Sequence, residues 1–254
     1  MIIAELHYKI KNKMEKIGKT EILPGVYAVR TSLWFSRARV LVFGDVHIGY
    51  EEALSRRGYL VPHVQFKETL EILDEILSVV DPKTVVINGD LKHEFGQISE
   101  QEWMDTSKFI DKLSEHCAKI VLVRGNHDTI LGPIAKKKKL GVVDFYCFGK
   151  VCVLHGNKVI ETKKILSAEL IVMGNEHPAV VLEEGAKREK YKCFLLGKWK
   201  KRRLIAMPSF LPTIEGTNIK QENLLSPYLH QNLDNFEVFI VGDGVYSFGK
   251  LKYI

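Results

Sequence analysis

Five short aliphatic runs recur along the first two thirds of the chain: VLVF (40–43), VVI (85–87), IVLV (120–123), VCVL (151–154) and LIVM (170–173). They show little alternation between apolar and polar positions, the pattern of strands buried on both faces. Helical periods lie between the first three. From Phe66 the apolar positions Leu70, Leu73, Leu77 and Val80 recur at helix spacing, with Pro62 suited to the first turn. A second helix opens on a capping box, Ser99 to Glu102, and carries Trp103, Ile110, Leu113 and Cys117 on one face. Strand alternating with helix predicts right-handed crossovers and a mainly parallel core. After residue 178 the pattern changes. AVVLEEG, YKCFLLGKW, RLIAMPSF and FEVFIVGDGVYSF read as strands joined by tight turns, with GDG marking a hairpin. An α/β half followed by an antiparallel half predicts a second sheet packed on the first, in a single domain spanning residues 1–254.

Composition narrows the class. A chain of 254 residues can bury a substantial core, and 46% apolar with 27% charged residues excludes disordered and fibrous classes. No run approaches the ~18 consecutive apolar residues of a membrane span. The opening MIIAELHYKIKNKMEK breaks its apolar residues with charges, unlike a signal peptide. The expectation is a cytoplasmic protein with no membrane partner. Cys117, Cys147, Cys152 and Cys193 form no CxxC pair, and three of them lie in apolar stretches. They are expected to be reduced packing residues. The net charge of +6 suits an anionic partner, and equally a lysine-rich solvated surface.

Each aliphatic run ends in a polar cluster: GDVH (44–47), NGDLKH (88–93), RGNHD (124–128), HGN (155–157) and GNEHP (174–178). Singly, each has a plain explanation. An Asp after a strand is commonly a cap or turn residue, and a strand-end His is commonly hydrogen-bonded. Jointly they are harder to explain as turns. Ligands of α/β sheets bind at the carboxyl ends of strands, and all five clusters would meet on that rim. Their Asp, His and Asn side chains are metal-ligand types, and their glycines let the backbone approach closely.

The order of these clusters resembles the D-x-H, GD, GNHD, H, GHxH series of calcineurin-like metallophosphoesterases. The likeness covers residues 44–178, and GDVHIGYE, GDLKHEFG and GNEHP resemble the small prokaryotic branch related to ligase-associated phosphoesterases. The resemblance implies a two-sheet α/β/β/α sandwich. It also implies a centre of two divalent ions, with manganese expected and iron, nickel or zinc as alternatives. Asp45, His47 and His177 would hold the first ion, and Asn126 and His155 the second. Asp90 would bridge the two, and His127 would face the substrate. Such a pair of ions would acidify a shared water to a metal-bound hydroxide and clamp an anionic phosphodiester, while His127 protonates the leaving alkoxide or stabilises the charge building on it. The implied activity is metal-dependent phosphodiester hydrolysis, on nucleotides or nucleic acid among other phosphoesters.

One position departs from the series. Asn175 stands where the family has the first His of GHxH. An amide oxygen is a weaker ligand than imidazole, so the second ion should be held less tightly. The same departure admits a second reading, a protein-binding scaffold with a degenerate metal site, as in the retromer subunit of this fold. His93 and Lys92, close after Asp90, are candidate contacts to a substrate phosphate. Two basic stretches, KKKK (136–139) and GKWKKRR (197–203), could track a nucleic-acid backbone, with Trp199 offering a stacking surface. Solvated charge is the alternative reading of both.

Overall fold

The computed structural model describes residues 18–62, 64–93, 99–128, 135, 138, 140–185, 187–221 and 223–254. The chain enters through an antiparallel meander, β1 (Thr20–Leu23), β2 (Val26–Val29), β3 (Ser32–Phe35) and β4 (Val40–Phe43). Sequence reading found only the last of these. A short helix α1 (Tyr50–Arg56) and a longer one, α2 (Gln65–Val79), return the chain to β5 (Thr84–Asn88). Helix α3 (Glu100–His116) then leads to β6 (Lys119–Val123) and β7 (Gly141–Val143). Strands β4 to β7 are parallel neighbours, and the first sheet runs β1-β2-β3-β4-β5-β6-β7.

The helices follow their periodicities with two adjustments. In α2 the deepest stripe is Thr69, Leu73 and Ile76, with Phe66, Leu70 and Leu77 on its flanks. The helix starts at Gln65, after Pro62, because Glu51 Oε1 accepts from the N–H groups of Val64 (3.2 Å) and Gln65 (2.8 Å) and caps it from α1. In α3 the Ser99 hydroxyl accepts from Glu102 N–H, and Phe109, Ile110 and Leu113 face the sheet.

The second sheet begins before residue 178. The hairpin β8 (Phe145–Phe148) and β9 (Val151–Leu154) is followed by a single helical turn, α4 (Lys163–Leu166), and β10 (Leu170–Met173). β11 (Pro178–Glu184), the long β12 (Lys187–Trp199), β13 (Arg202–Ala206) and β14 (Thr217–Asn218) complete the order β14-β11-β12-β13-β10-β9-β8. β15 (Glu237–Val241) and β16 (Val245–Lys250) extend it from β12 around the GDG turn. VCVL and LIVM therefore belong to this sheet, with β9, β10 and β13 parallel.

Alternation along these strands joins the layers. Val153, Val172 and Ile205 point inward onto the first sheet, in one core with Leu41, Val86 and Val121. Cys152, Leu154, Ile171, Met173, Leu204 and Ala206 point outward, beneath Ile165 of α4 and Ile219, Tyr228, Leu229 and Leu233. Aromatic rings cross the inner interface, Phe35 to Phe148 at 5.0 Å and Phe43 to Phe210 at 4.6 Å. The architecture is a two-sheet α/β sandwich. Among the described residues no helix is long and apolar enough to cross a membrane.

The cysteine expectation is corrected. The β8–β9 register sets Cys147 opposite Cys152, and the two form a disulfide, leaving Cys117 and Cys193 free. Spacing gave no hint, because the pairing comes from the hairpin register.

Candidate metal centre

The loops leaving β4, β5, β6, β9 and β10 meet on one rim between the sheets. Leaving β4, the chain passes through Asp45 and His47 in left-handed conformation, φ 55° and 48°. Such backbone at a non-glycine residue costs roughly 1–3 kcal/mol and persists only where its surroundings enforce it. The enforcement is visible. Asp45 N–H donates to Gly89 O, His47 N–H to Asp90 O and Ile48 N–H to Leu91 O, each at 3.0 Å, zipping the loop after β4 to the loop after β5. Asp90 (φ 47°), Asn175 (φ 63°) and His177 (φ 50°) share the conformation. Five of the seven residues expected to bind metal are thus strained, as happens where a fold dictates side-chain direction.

Two glycines make the close approach feasible. A Cβ on Gly89 would lie 2.1 Å from His155 Nδ1, and one on Gly125 would lie 2.1 Å from Asp90 Oδ1.

The side chains converge in two groups, Asp45 with His47 and His177, and Asp45 with Asp90 and His155, the ligand atoms of each within 4.8 Å of one another. Asp45 is common to both. His177 Nε2 lies 3.3 Å and His155 Nδ1 3.7 Å from Asp45 Oδ1, while His155 Nε2 lies 3.4 Å from Asp90 Oδ2. Asn126 joins the second group, its Oδ1 2.9 Å from His155 Nε2. Asn175 contributes its backbone N–H, which donates to Asp45 Oδ2 at 3.1 Å.

The donor set suits a cation. Asp45 Oδ1 and His47 Nδ1 are buried without a hydrogen-bond partner among the described residues. Burial, outweighing the charges of Asp45 and Asp90, lowers His47 to about 3, so its imidazole is in the neutral, metal-binding form. Burial also opposes charge on His155. The Asp90 hydrogen bond and the charges of Asp45 and Asp90 outweigh it and raise His155 to about 9. For Asp90, burial pushes upward, and His155 and His47 with the His127 N–H pull the carboxyl below its ordinary value. His155 Nδ1 sits 3.3 Å from the Asn88 carbonyl, which can only accept, so Nδ1 carries a proton. Nε2 therefore faces Asn126 Oδ1 and Asp90 with either a second proton or a cation between them. Donors of mixed nitrogen and oxygen type fit a divalent ion in that place.

The flanking positions divide. His127 is half-buried beside Asp90, with its Nε2 3.9 Å from Oδ2 and its N–H donating to Oδ1 at 2.9 Å. His93 faces the same side, its ring against Tyr50 at 4.9 Å and His127 at 5.5 Å. Lys92 does not: it pairs with Ile48 in an isolated bridge and its side chain is fully buried, out of a substrate's reach. The GKWKKRR stretch lies away from the rim. β13 runs parallel to β9 and β10, so the β12–β13 turn lies at the end of the sheet opposite the rim, about 15 Å away over a five-residue strand. Trp199 is 8% exposed and packs on Tyr228 at 4.8 Å, unavailable for stacking. Lys200 pairs with Glu161, and Arg202 donates to Leu166 O. Of KKKK, residues 136, 137 and 139 lie outside the described residues, and Lys138 pairs with Asp111 at 2.5 Å.

Sequence reasoning missed the braces behind the ligands. Asp128 accepts from Leu91 N–H (3.1 Å) and Gly125 N–H (2.9 Å), tying two metal loops together. Burial, helped by the charge of Asp90, raises it to about 6. Ser209 Oγ donates to Asp45 O at 2.8 Å, and Phe210 N–H to Gly44 O at 3.0 Å. Lys192, buried in β12, holds that loop by donating to Ser209 O (3.0 Å) and Leu211 O. Burial lowers it to about 7 against the charge of Asp45. Only the Asp of GNHD carried a sequence signal.

A two-sheet sandwich with carboxylates and imidazoles clustered at strand ends is the frame of a metal-dependent phosphoesterase. The calcineurin-like phosphoesterase model matches residues 38–208, and the chain belongs to that family, whose members use divalent metals. The crystal structure of the Pseudomonas putida nuclease MPE shares the fold with a TM-score of 0.66 and 20% identity, over 91% of this chain and 99% of that one. Vacuolar protein sorting 29 from Cryptosporidium parvum aligns over 83% of this chain and 97% of its own, at 16% identity and a TM-score of 0.37. Zinc-complexed Vps29 from Entamoeba histolytica aligns over 80% and 86%, at 17% and 0.35. Curated protein sequences contain no match.

Proposed function

We propose that the chain hydrolyses phosphodiesters at a centre of two divalent ions, manganese foremost. Asp45, His47 and His177 would hold one ion. Asp90, Asn126, His155 and, weakly, the Asn175 amide oxygen would hold the other, and the Asp90 carboxylate would serve both. The observation that carries the reading is the pair of ligand groups sharing Asp45, built on strained backbone. Ions bound there would supply positive charge to the phosphoryl oxygens and acidify a water. The chain's own residues do the rest. Asp128 and Ser209 keep the carboxylate loops rigid. His93 lies beside the metal loop to contact a phosphoryl oxygen. His127 is held by its Nδ1 to the His93 carbonyl (2.6 Å), so in its imidazolium form Nε2 donates the proton to the leaving alkoxide. A diester is favoured over a monoester because the Pseudomonas putida protein of this fold is a nuclease, an enzyme of phosphodiesters. Nucleic acid is accordingly a candidate substrate.

The test is a screen of metal-reconstituted protein on an aryl phosphodiester, an aryl phosphomonoester, cyclic nucleotides and single-stranded DNA. Diester turnover that chelator and Asp90→Asn both abolish is expected. His127→Ala should retain its metal and lose most rate on substrates with poor leaving groups. Metal bound normally, with no ester cleaved, would instead support the scaffold reading.

A further inference from the structure

Three imidazoles from three different loops face one another at the edge of the centre. His47, His93 and His127 each present a ring nitrogen, and the three nitrogens lie within 4.8 Å of one another. Their ring centroids are 5.1 to 5.5 Å apart. Only His47 also belongs to the group with Asp45 and His177. His127 is held as metal-binding histidines are held. His127 Nδ1 lies 2.6 Å from the His93 carbonyl, an acceptor, so Nδ1 keeps its proton and Nε2 is the nitrogen on offer. A backbone carbonyl in that position sets both the tautomer and the aim of a ligating imidazole. The His93 backbone is anchored by its amide N–H to Ile48 O (2.9 Å) and Glu102 Oε1 (3.1 Å), and its ring lies against Tyr50.

We propose that His47, His93 and His127 form an alternative, all-imidazole site for one zinc ion, filled at the expense of the Asp45–His47–His177 site. It rests on the reading of that group as a metal site, and not on hydrolysis. The donor chemistry separates the two. Three neutral imidazoles with an open fourth position suit zinc, whereas carboxylate oxygens suit manganese or magnesium. Zinc–nitrogen bonds of about 2.0–2.1 Å require each ring to move inward by roughly 1 Å or less from the present spacing. Zinc in the trio takes His47 from the carboxylate centre and His127 from the substrate side, so the two modes exclude each other. Excess zinc should then inhibit a manganese-loaded protein.

The experiment loads the metal-free full chain with one equivalent of Zn²⁺ and counts imidazoles around it by X-ray absorption. Three imidazoles are expected; two with a carboxylate oxygen would place zinc with Asp45 and overturn the proposal. Equilibrium dialysis of folded variants, checked by circular dichroism, supplies an independent arm. His93→Ala should weaken Zn²⁺ binding about tenfold or more and leave Mn²⁺ binding unchanged, while His177→Ala should do the reverse. Zinc affinity unaltered in His93→Ala would also overturn it. A chain that binds zinc through three imidazoles and cleaves no ester would sink the hydrolase reading and leave this one standing.

Discussion

Gly125→Ala isolates the packing that aims Asp90. The φ of Gly125 lies outside the left-handed region, so an alanine meets no backbone penalty and acts by contact alone. Its Cβ would lie 2.1 Å from Asp90 Oδ1, 2.4 Å from Asp90 N and 2.8 Å from Asp90 Cγ. Ordinary contact begins at 3.4 Å, so Oδ1 must retreat by 3.4 − 2.1 = 1.3 Å. That movement breaks the 2.9 Å bond from His127 N–H and alters the 3.4 Å approach of Oδ2 to His155. Overpacking of this kind costs about 1–3 kcal/mol. At about 2–4 °C per kcal/mol for a chain of this size, the metal-free Tm should fall by roughly 2–12 °C. Misdirecting a ligand should weaken metal binding by at least the ~10–100-fold typical of losing an outer partner. Differential scanning fluorimetry of metal-free protein and calorimetric titration with Mn²⁺ measure the two effects. Gly141→Ala is the control, since a Cβ there meets nothing within 4 Å. If Gly125→Ala matches Gly141→Ala in both measurements, the close approach is no constraint and the reasoning fails.

Three further outcomes are expected. His155 is raised from 6.5 to about 9 in the metal-free fold, so the stability it contributes is complete below about pH 6.5 and lost as pH rises through about 9. A bound ion displaces that proton, so Mn²⁺ titrated near pH 7.5 in buffers of different ionisation heat should release about one proton per chain; none released would contradict the assignment. Thiol titration of denatured, unreduced protein should find two of the four cysteines, Cys117 and Cys193, and four after reduction. Neutralising Lys198, Lys200, Lys201 and Arg202 together should leave single-stranded DNA binding and its salt dependence unchanged, because that turn lies opposite the rim; a flattened salt slope would show that an anionic strand reaches it.

The sequence alone determined the strands that bear the site and the residues at their ends. Both signals are local: an aliphatic run reports burial, and the polar residues that follow it are its neighbours in the chain. Helices α2 and α3 were legible for the same reason, through period and capping box. Only the tertiary structure decided the rest. VCVL and LIVM read like VLVF and IVLV because burial on two faces looks alike in either sheet, and partner choice is non-local. The strands before Val40 were not read at all. Trp199 and Lys92 looked available as polar or aromatic neighbours of charged loops, and packing buried both. Cys147 met Cys152 through hairpin register, and Lys192 met Ser209 and Leu211 across a strand, with no sequence spacing to announce either. The left-handed turns at Asp45, His47, Asp90, Asn175 and His177 are equally hidden, because Asp, Asn and His only tolerate that conformation better than most residues and do not dictate it: at Asp45 and His47, hydrogen bonds to a loop distant in sequence hold it against its backbone cost.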